Sequence, residues 1–449
     1  MTKLQFIYQQ SQLSDYANDI INRTIKLGAS QAQVELSESI STDIEVLDQK
    51  IENFETSHES QMLLTVYLGQ QKGHIGISNI DTKDLDTIIK QALEIAKYTQ
   101  ADAANGILDK QFLTKELITD LDLYIPHNES NETLISTVMD IEQKALNSDK
   151  RITASDGASV SLTSYNFVTA NSNGFNLGYQ TSRYSNSVSL IGNTSNGMQT
   201  DYWYSSSRNY TNLLTSTELA DHATKRLLRR LDKGEFKKST CKVIFETTIA
   251  KSIIGALIAA LSGNSQYRKL SFLNDSLGSK VLPEWLSIEE DPFIPEGLSS
   301  CYFDNEGGQV YRRRLVDNGL VSGYLLSAYS ARKLNMQPTG NAGGAHNLKV
   351  SSNFNGDLAA LAKEMYSGLI IIETIGHGLN SVTGDYSVGA SGLVIIDGKI
   401  SHFTDNLTIS GNMRDIYNNI LYIANDSSPG SLLCGSMLIE SNCLQITGK

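Results

Sequence analysis

The chain has 449 residues, with 37 basic and 49 acidic side chains and a net charge of −12. This length exceeds what one hydrophobic core normally fills, so we expect two domains, and the acidic balance argues against a nucleic-acid partner. The longest apolar run, residues 253–261, is about half of the ~20 residues that a membrane-spanning helix needs, so no membrane contact is expected.

The N-terminal sequence lacks the charged segment followed by an apolar segment that marks a signal peptide. The four cysteines are Cys241, Cys301, Cys434 and Cys443, and none of them forms a CxxC pair. Single scattered cysteines are typical of reduced thiols in the cytosol. We therefore expect a cytoplasmic protein.

The sequence patterns in the first half of the chain predict helices on one face of a sheet. Amphipathic patterns predict helices over residues 13–27, 84–97, 131–146 and 217–231, and alternating patterns predict strands over 32–36, 43–54, 61–68 and 73–77. Residues 152–210 predict an antiparallel meander with turns at Asn173-Gly174 and Asn196-Gly197. The charged stretch 232–238 then predicts a domain boundary, with an N-terminal α/β domain over 1–235 and a C-terminal β-rich domain over 236–449.

The second half begins with a predicted strand over 242–245 and an apolar helix over 247–261. Hairpins follow, with turns at Asn318-Gly319 and Asp397-Gly398, so the overall class is predicted as α+β. Two basic runs, residues 225–230 and 312–314, are interpreted as solvated faces. The loop 339–347 is rich in Gly and Asn, but its spacing differs from GxxxxGK, so the sequence favours a phosphate site there only weakly.

Residues 373–392, called the glycine stretch below, form the segment with the clearest demand on backbone geometry. It holds five glycines in twenty residues and lies between the apolar runs 369–372 and 393–396. Glycine at this density predicts backbone with φ > 0 or backbone that another segment approaches closely. We interpret the stretch as a rigid support for a ligand or a partner chain, framed by two buried strands.

Catalytic patterns are absent from the sequence itself. No two of the seven histidines lie within five residues of each other, so there is no HExxH pair to hold zinc on a helix. There is also no GxSxG turn for a serine nucleophile. A site assembled from distant residues, such as His346, His377 and Asp385, stays open.

Several ordered motifs resemble those of the TldD/PmbA family, and within it the PmbA branch, also called TldE. The motifs cover most of the chain: GDYS at 384–387, GASG at 389–392, ISGNMRD at 409–415, YRKLSF at 267–272, SAYSARKL at 327–334 and TGNAGGAHN at 339–347. Residues 61–78 and 96–99 also fit. The resemblance implies an N-terminal α/β domain and a C-terminal domain of twisted antiparallel sheet.

The resemblance also implies a function. Family members work as dimers, and the TldD–TldE pair is a cytosolic zinc peptidase that degrades or trims unfolded peptides, including peptide-antibiotic precursors and an unstable antitoxin. Older names describe the family as modulators of DNA gyrase. The zinc belongs to TldD, which holds it with an HExxxH helix and a cysteine near the C-terminus. An ungapped comparison places Ile254, Gly255 and Ala259 of this chain where those His, Glu and His side chains would stand.

The sequence therefore predicts a subunit without a catalytic metal, which pairs with a metal-bearing TldD-like relative or with itself. Zinc is expected in the partner, no cofactor in this chain, and Cys434 is expected to be a buried thiol. No catalytic residue is predicted, and the candidate peptide-binding residues lie in the glycine stretch: Gly376, His377, Gly378, Asn380, Gly384, Asp385 and Tyr386. Two alternatives stay open: a self-sufficient homodimeric peptidase with an unrecognised site, and a non-enzymatic protein that binds a regulator.

Overall fold

The computed structural model describes residues 5–80, 84–117, 120–194 and 197–448. In this part the α-helices are α1 (Gln10–Lys26), α2 (Leu85–Tyr98), α3 (Asn131–Leu146), α4 (Ser216–Leu228), α5 (Thr247–Ala260), α6 (Gly263–Tyr267), α7 (Ala328–Leu334), α8 (Leu358–Met365) and α9 (Met413–Asn418). Across the same ranges we find no helix long and apolar enough to cross a membrane.

The β-strands fall into two groups along the chain. The first half holds β1 (Gln31–Leu47), β2 (Lys50–Leu68), β3 (Gln71–Ile77), β4 (Ile152–Asn171), β5 (Asn176–Thr194) and β6 (Gly197–Ser207). The second half holds β7 (Lys242–Phe245), β8 (Ile288–Asp291), β9 (Arg313–Asp317), β10 (Leu320–Val321), β11 (Asn347–Val350), β12 (Gly368–Ile375), β13 (Asp385–Ile396), β14 (Lys399–Asn412), β15 (Ile420–Ile423), β16 (Leu432–Leu433), β17 (Met437–Ile439) and β18 (Leu444–Gly448).

The first six strands form one antiparallel sheet in the order β3-β2-β1-β4-β5-β6. The sequence prediction of a single strand over 43–54 was wrong. Asp48 and Gln49 both take positive φ, +52° and +58°, so the chain reverses there and β1 pairs with β2. Left-handed backbone at both central residues suits the right-handed twist of a hairpin, and here it overrides the alternating pattern.

The two faces of this sheet have different roles. Alternate residues of β1, among them Val34, Leu36 and Ile44, are fully buried and pack beneath helices α1 to α4. The intervening residues face the other side, where one end of the sheet meets the second half of the chain. There Gln33 Nε2 donates a hydrogen bond to the backbone oxygen of Asn305 at 3.1 Å. The alternation therefore positions Glu35, two residues further along, toward the same junction.

The second half contains a five-stranded sheet, β10-β9-β8-β11-β16, and a seven-stranded sheet, β15-β17-β7-β12-β13-β14-β18. The predicted α+β class is confirmed, and the sheets include parallel pairs, β7 with β12 and β11 with β16, beside the antiparallel ones. Helix α5 lies in the core that both sheets share, with Ile253, Ile254 and Leu257 buried. Its lack of polar inner-face residues follows from this position between two apolar surfaces.

A network of ion pairs joins the first half of the chain to the second. Asp201 of β6 accepts hydrogen bonds from Arg226 Nε at 3.0 Å and Arg230 Nε at 2.7 Å. Arg226 also binds Glu246, the residue before α5, at 3.1 Å, and Arg230 binds Glu373 of β12 at 2.8 Å. We call these residues, with Arg229, which also binds Glu246, the arginine network.

The arginine network corrects the interpretation of the basic run 225–230 as a solvated face. The side chains of Arg226, Arg229 and Arg230 lie mostly buried against carboxylates. In the run 312–314, Arg313 is mostly buried and binds Glu290 at 2.7 Å, whereas Arg312 and Arg314 are solvated as interpreted. Charge density along the sequence cannot reveal these partners, because all of them lie at distant positions in the chain.

The predicted helices lie close to the observed ones, whereas the predicted strands 32–36 and 61–68 cover less than half of β1 and β2. Strand β7 and helix α3 begin and end as predicted, and Asn318-Gly319 and Asp397-Gly398 both take positive φ at both residues, which confirms the two hairpin turns. Asn173-Gly174 lies in the turn between β4 and β5, whereas Asn196 lies outside the described residues. The division into domains at 235/236 stays a proposal.

Candidate functional site

The glycine stretch forms a loop and part of a strand. Strand β12 ends at Ile375 and β13 begins at Asp385, so only residues 376–384 form the connection. The flanking strands are buried as predicted, and they extend into the stretch: its first three residues belong to β12 and its last eight to β13. Gly389 and Gly392 pair with β12 and β14 there.

Three glycines of the loop meet distinct geometric demands. Gly376 and Gly384 have φ of +95° and +83°, in the left-handed region that disfavours side chains with a Cβ. Gly378 has no positive φ, but a Cβ at this position would lie 1.7 Å from the backbone oxygen of Ser387. The backbone of residue 378 therefore lies directly against β13, which confirms the prediction of close approach, here by the chain's own strand.

Polar side chains hold the loop in one conformation. Asn380 Oδ1 accepts a hydrogen bond from the backbone N–H of Val382 at 3.0 Å. The backbone N–H of Asn380 donates to the backbone oxygen of Asp385 at 2.8 Å. Asp385 accepts from Thr383 Oγ1 at 2.7 Å and from Asn412 Nδ2 at 3.1 Å, and these bonds hold the pKa of its carboxyl below the usual value. Asp385 is thus an ionised anchor and has no features of a general base.

The two ring-bearing residues of the stretch differ. Tyr386 is half-buried, and burial raises the pKa of its hydroxyl to about 12, so it stays protonated at neutral pH. His377 is exposed at the tip of the loop and makes no hydrogen bond in the described part of the chain. The backbone of the loop bonds instead to β13 and to the side chain of Asn380.

We expect the His377→Asn variant to keep its stability and its activity in any peptidase assembly within about twofold. An exposed side chain without partners contributes little to folding, with effects within about 0.5 kcal/mol. Thermal unfolding and peptide cleavage measured on the same preparation check this. A loss of activity of about a hundredfold with unchanged unfolding would make His377 a catalytic candidate.

The residues at the expected metal position do not fit zinc. On α5, Ile254 is buried among apolar residues, Gly255 has no side chain, and Ala259 is exposed. None offers the nitrogen, sulfur or oxygen donor that zinc needs. Across the described residues, no group of three or more His, Cys, Asp or Glu side chains is placed to hold a metal ion.

Cys434 is a buried thiol, as predicted. It is 1% exposed, its S–H donates to the backbone oxygen of Gly435 at 3.4 Å, and burial raises its pKa to about 12. A buried, protonated thiol is a weak nucleophile at neutral pH. The tail around Cys434 therefore packs against the core, and Thr247 of α5 donates a hydrogen bond to its backbone oxygen at 2.7 Å.

The suggested assembly of His346, His377 and Asp385 does not form in the structure. Within the described ranges, no hydrogen bond or ion pair joins any two of them. His346 lies instead beside Cys301, whose Sγ is 3.3 Å from His346 Nδ1. His346 Nε2 donates to the backbone oxygen of Gly340 at 2.8 Å, which leaves Nδ1 as the acceptor for the thiol proton.

Cys301 and His346 line a cavity of about 210 Å³ that the sequence did not reveal. The cavity lies between strands β1, β4 and β5 of the six-stranded sheet and two loops of the second half of the chain. We call it the junction cavity. Its lining is Glu35, Phe167, Thr169, Tyr179, Ser299, Ser300, Cys301, Phe303, Asp304, Asn305 and residues 342–346. The Gly/Asn-rich loop 339–347 was the only part of this cavity that stood out in the sequence, because the other lining residues come from segments far apart in the chain.

The Cys301–His346 pair is not set up for nucleophilic catalysis. Burial, with the charges of Asp304 and Glu290, raises the pKa of the Cys301 thiol to about 12. The protonated thiol is a weak nucleophile, and the neighbouring carboxylates disfavour the thiolate further. The pair therefore closes the cavity wall, and the chemistry that the cavity supports is binding.

Comparison with known proteins shows the family. Residues 238–446 match the PmbA/TldA metallopeptidase C-terminal domain, residues 124–231 the central domain, and residues 32–96 domain 1. The Metalloprotease PmbA homolog of Haemophilus influenzae is 36% identical over 440 residues, which is 97% of each chain. Metalloprotease PmbA of Escherichia coli O157:H7 is 35% identical over 419 residues, covering 93% of this chain and 92% of that one.

Solved structures share the fold over the whole length. TldE from Thermococcus kodakarensis superposes with a TM-score of 0.85 at 16% identity, covering 96% of this chain and all of that one. A candidate modulator of DNA gyrase from Bacteroides thetaiotaomicron gives a TM-score of 0.92 at 24% identity, covering 99% of this chain and 100% of that one. Together with the matches along the sequence, these show that the chain belongs to the PmbA/TldD metallopeptidase family.

Proposed function

We propose that this chain is a subunit of a cytoplasmic peptidase complex, without a catalytic metal of its own, that pairs with a metal-bearing TldD-like relative. The observation that carries the proposal is the chemistry of α5. The helix holds the position where the family resemblance places HExxxH, but Ile254, Gly255 and Ala259 supply no ligand and no general base. Without them this helix cannot lower the pKa of a bound water, so hydrolysis requires a site elsewhere.

The contribution of this chain is geometric. Holding an unfolded peptide near the metal of the partner converts an encounter between two molecules into a reaction within one complex, which accelerates it without a reacting group from this chain. The loop 376–384 is a candidate wall of the peptide chamber, because Asn380 and Asp385 fix its backbone while Ile375, His377 and Val382 are exposed. Gly376, Gly378, Gly384 and Tyr386 set the shape of that wall.

The proposal predicts that the chain alone does not cleave an unfolded peptide, and that the mixture with its HExxxH relative does. The rate should rise by a factor on the order of 10³ or more, and a chelator should abolish it, because the activated water belongs to the partner's zinc. Cleavage of a fluorogenic unfolded peptide by each chain and by the mixture measures this. Zinc should be bound by the partner, with none at stoichiometric level in this chain.

Two other outcomes would favour the alternatives. If this chain alone cleaves the peptide at the rate of the mixture, it is a self-sufficient peptidase and the accessory role is wrong. If the chains do not associate at micromolar concentration and the mixture gains no activity, a regulator-binding protein becomes the better account. Size-exclusion chromatography with light scattering, run on the same samples, separates these outcomes.

A further inference from the structure

The junction cavity contains a carboxylate, that of Glu35, to which no residue described by the structure is hydrogen-bonded or ion-paired. Glu35 lies on β1, on the face of the sheet that meets the second half of the chain, and it lines the cavity. It is half-buried. Burial alone raises the pKa of its carboxyl. A carboxylate removed from water without compensation costs free energy of folding, which a bound cation would recover.

The other carboxylate of the lining is in a different state. Asp304 accepts the backbone N–H groups of Glu306, Gly308 and Ala342 at distances of 2.7 to 3.0 Å. These three bonds use its oxygens to fix the two loops of the second half. Asp304 therefore builds the cavity, and Glu35 is the group left to bind a ligand.

The lining selects a cation over an anion. The residues that line the cavity include no lysine or arginine. Arg208, whose charge acts on Cys301 and Tyr179, is not part of the lining, and its guanidinium donates to the backbone oxygens of Gly297 and Ser182. Three backbone N–H groups of the glycine-rich loop are occupied, since Ala342 donates to Asp304, His346 to Glu290 and Gly344 to the backbone oxygen of Asn341. A phosphate in the cavity would lie beside the carboxylates of Glu35 and Asp304, which disfavours the weak phosphate hypothesis for this loop.

Aromatic rings form the wall next to Glu35. Phe167, Tyr179 and Phe303 contact one another, with centroid distances of 4.6 Å between Phe167 and Tyr179 and 5.3 Å between Tyr179 and Phe303. Phe167 pairs across the sheet with Ser37, two residues from Glu35. Aromatic rings beside an unpaired carboxylate form the surroundings in which proteins bind ammonium groups, through ring electrostatics and one charge-assisted hydrogen bond.

We propose that the junction cavity binds the primary ammonium group of a peptide, with Glu35 as its counter-ion. A volume of about 210 Å³ admits one terminal residue or one side chain, not a folded domain. The ammonium comes from the peptide N-terminus or from a lysine side chain, and both present the same –NH₃⁺ group. The inference rests on the proposed function, in which this chain holds an unfolded peptide, and it identifies the ammonium group as the part of the peptide that is bound.

The test compares three fluorescent peptides of eight Gly, Ala and Ser residues on the isolated chain at pH 7. The first has a free N-terminus, the second is Nα-acetylated, and the third is Nα-acetylated with one central lysine. We expect at least about tenfold tighter binding of an ammonium-bearing peptide than of the acetylated one without lysine, which corresponds to one charge-assisted hydrogen bond. Fluorescence anisotropy gives the dissociation constants.

Two variants assign the effect to the cavity. The Glu35→Gln variant keeps the size of the side chain and removes its charge, so the preference should fall to within about twofold. The Glu45→Gln variant makes the same change on the same face of the same strand, at an exposed position outside the cavity, and should keep the preference. Thermal unfolding should show Glu35→Gln at least as stable as the parent, because an unpaired, half-buried charge is removed.

The outcomes are separable. If only the free N-terminus or only lysine confers tight binding, the inference holds and its source is identified. If the acetylated peptide without lysine binds as well as the others, if no peptide binds at millimolar concentration, or if Glu35→Gln keeps the preference, the inference is wrong. Because these are binding measurements on one chain, they do not depend on whether the mixture with the metal-bearing relative cleaves peptide.

Discussion

The Asp201→Asn variant should lose about 3–5 kcal/mol of unfolding free energy, because it leaves two buried guanidinium groups without their shared charge. The side chain of Asp201 is 1% exposed and that of Arg230 is 7% exposed, so water cannot replace the lost partner. Arg230 also reaches Glu373 at the end of β12, and Arg226 reaches Glu246 at the start of α5. The loss should therefore loosen the contact between the two halves of the chain as well as lower stability.

Asp19→Asn is the matched control for this prediction. Asp19 binds Arg23 at 2.8 Å on the surface of α1, where both side chains are 49% exposed. Solvent screens such pairs, so the same substitution should cost about 1 kcal/mol or less. Urea unfolding of both variants measures the difference. Equal losses in the two would show that the arginine network does not hold the halves together.

The Gly378→Ala variant should destabilise the chain by about 3 kcal/mol or more and disrupt the loop between β12 and β13. Its Cβ would lie 1.7 Å from the backbone oxygen of Ser387 and 2.7 Å from Val388 Cγ1, distances that only a displaced backbone can relieve. The displacement would break the hydrogen bond from Ser387 N–H to the backbone oxygen of Gly378, which is 2.8 Å long. Activity of the mixed complex should fall with it.

Gly389→Ala controls for the change of residue type. This glycine lies in β13 without positive φ, and its Cβ would come no closer than 3.5 Å to Ile375, an ordinary van der Waals distance. Its unfolding free energy should change by less than about 1 kcal/mol. Denaturant unfolding and peptide cleavage by the mixture are the readouts. If Gly378→Ala behaved like Gly389→Ala, the loop would not be the rigid support that we describe.

Local patterns predicted most of the fold because they reflect local physics. The 3.6-residue period of α3 and the Asn-Gly and Asp-Gly turns each depend only on residues that are neighbours in the sequence. The hairpin at Asp48-Gln49 was missed because neither residue is a glycine, although both take positive φ. That conformation is stabilised by the pairing of β1 with β2 and by the buried carboxylate of Glu142, which accepts the backbone N–H groups of Asp48 and Gln49 at 3.0 and 2.8 Å.

The candidate sites were less predictable, because they depend on residues far apart in the sequence. The positions of Ile254, Gly255 and Ala259 on one helix could be compared directly with a family motif. Glu35 could not be singled out, since its significance depends on Cys301, Phe167 and the loop after residue 340, which only the folded chain brings together. The same holds for Asp201, whose partners lie 25 and 29 positions away.

The most direct test of the accessory role is cleavage by a mixture in which the HExxxH glutamate of the metal-bearing relative is replaced by glutamine. This chain is left unchanged, so any catalytic group that it owns would still be present. Our account predicts that cleavage of the unfolded peptide falls to the level of the buffer, while the two chains still associate and still bind peptide. Cleavage persisting at a substantial fraction of the rate of the unmodified mixture would contradict it and would place a catalytic site in this chain.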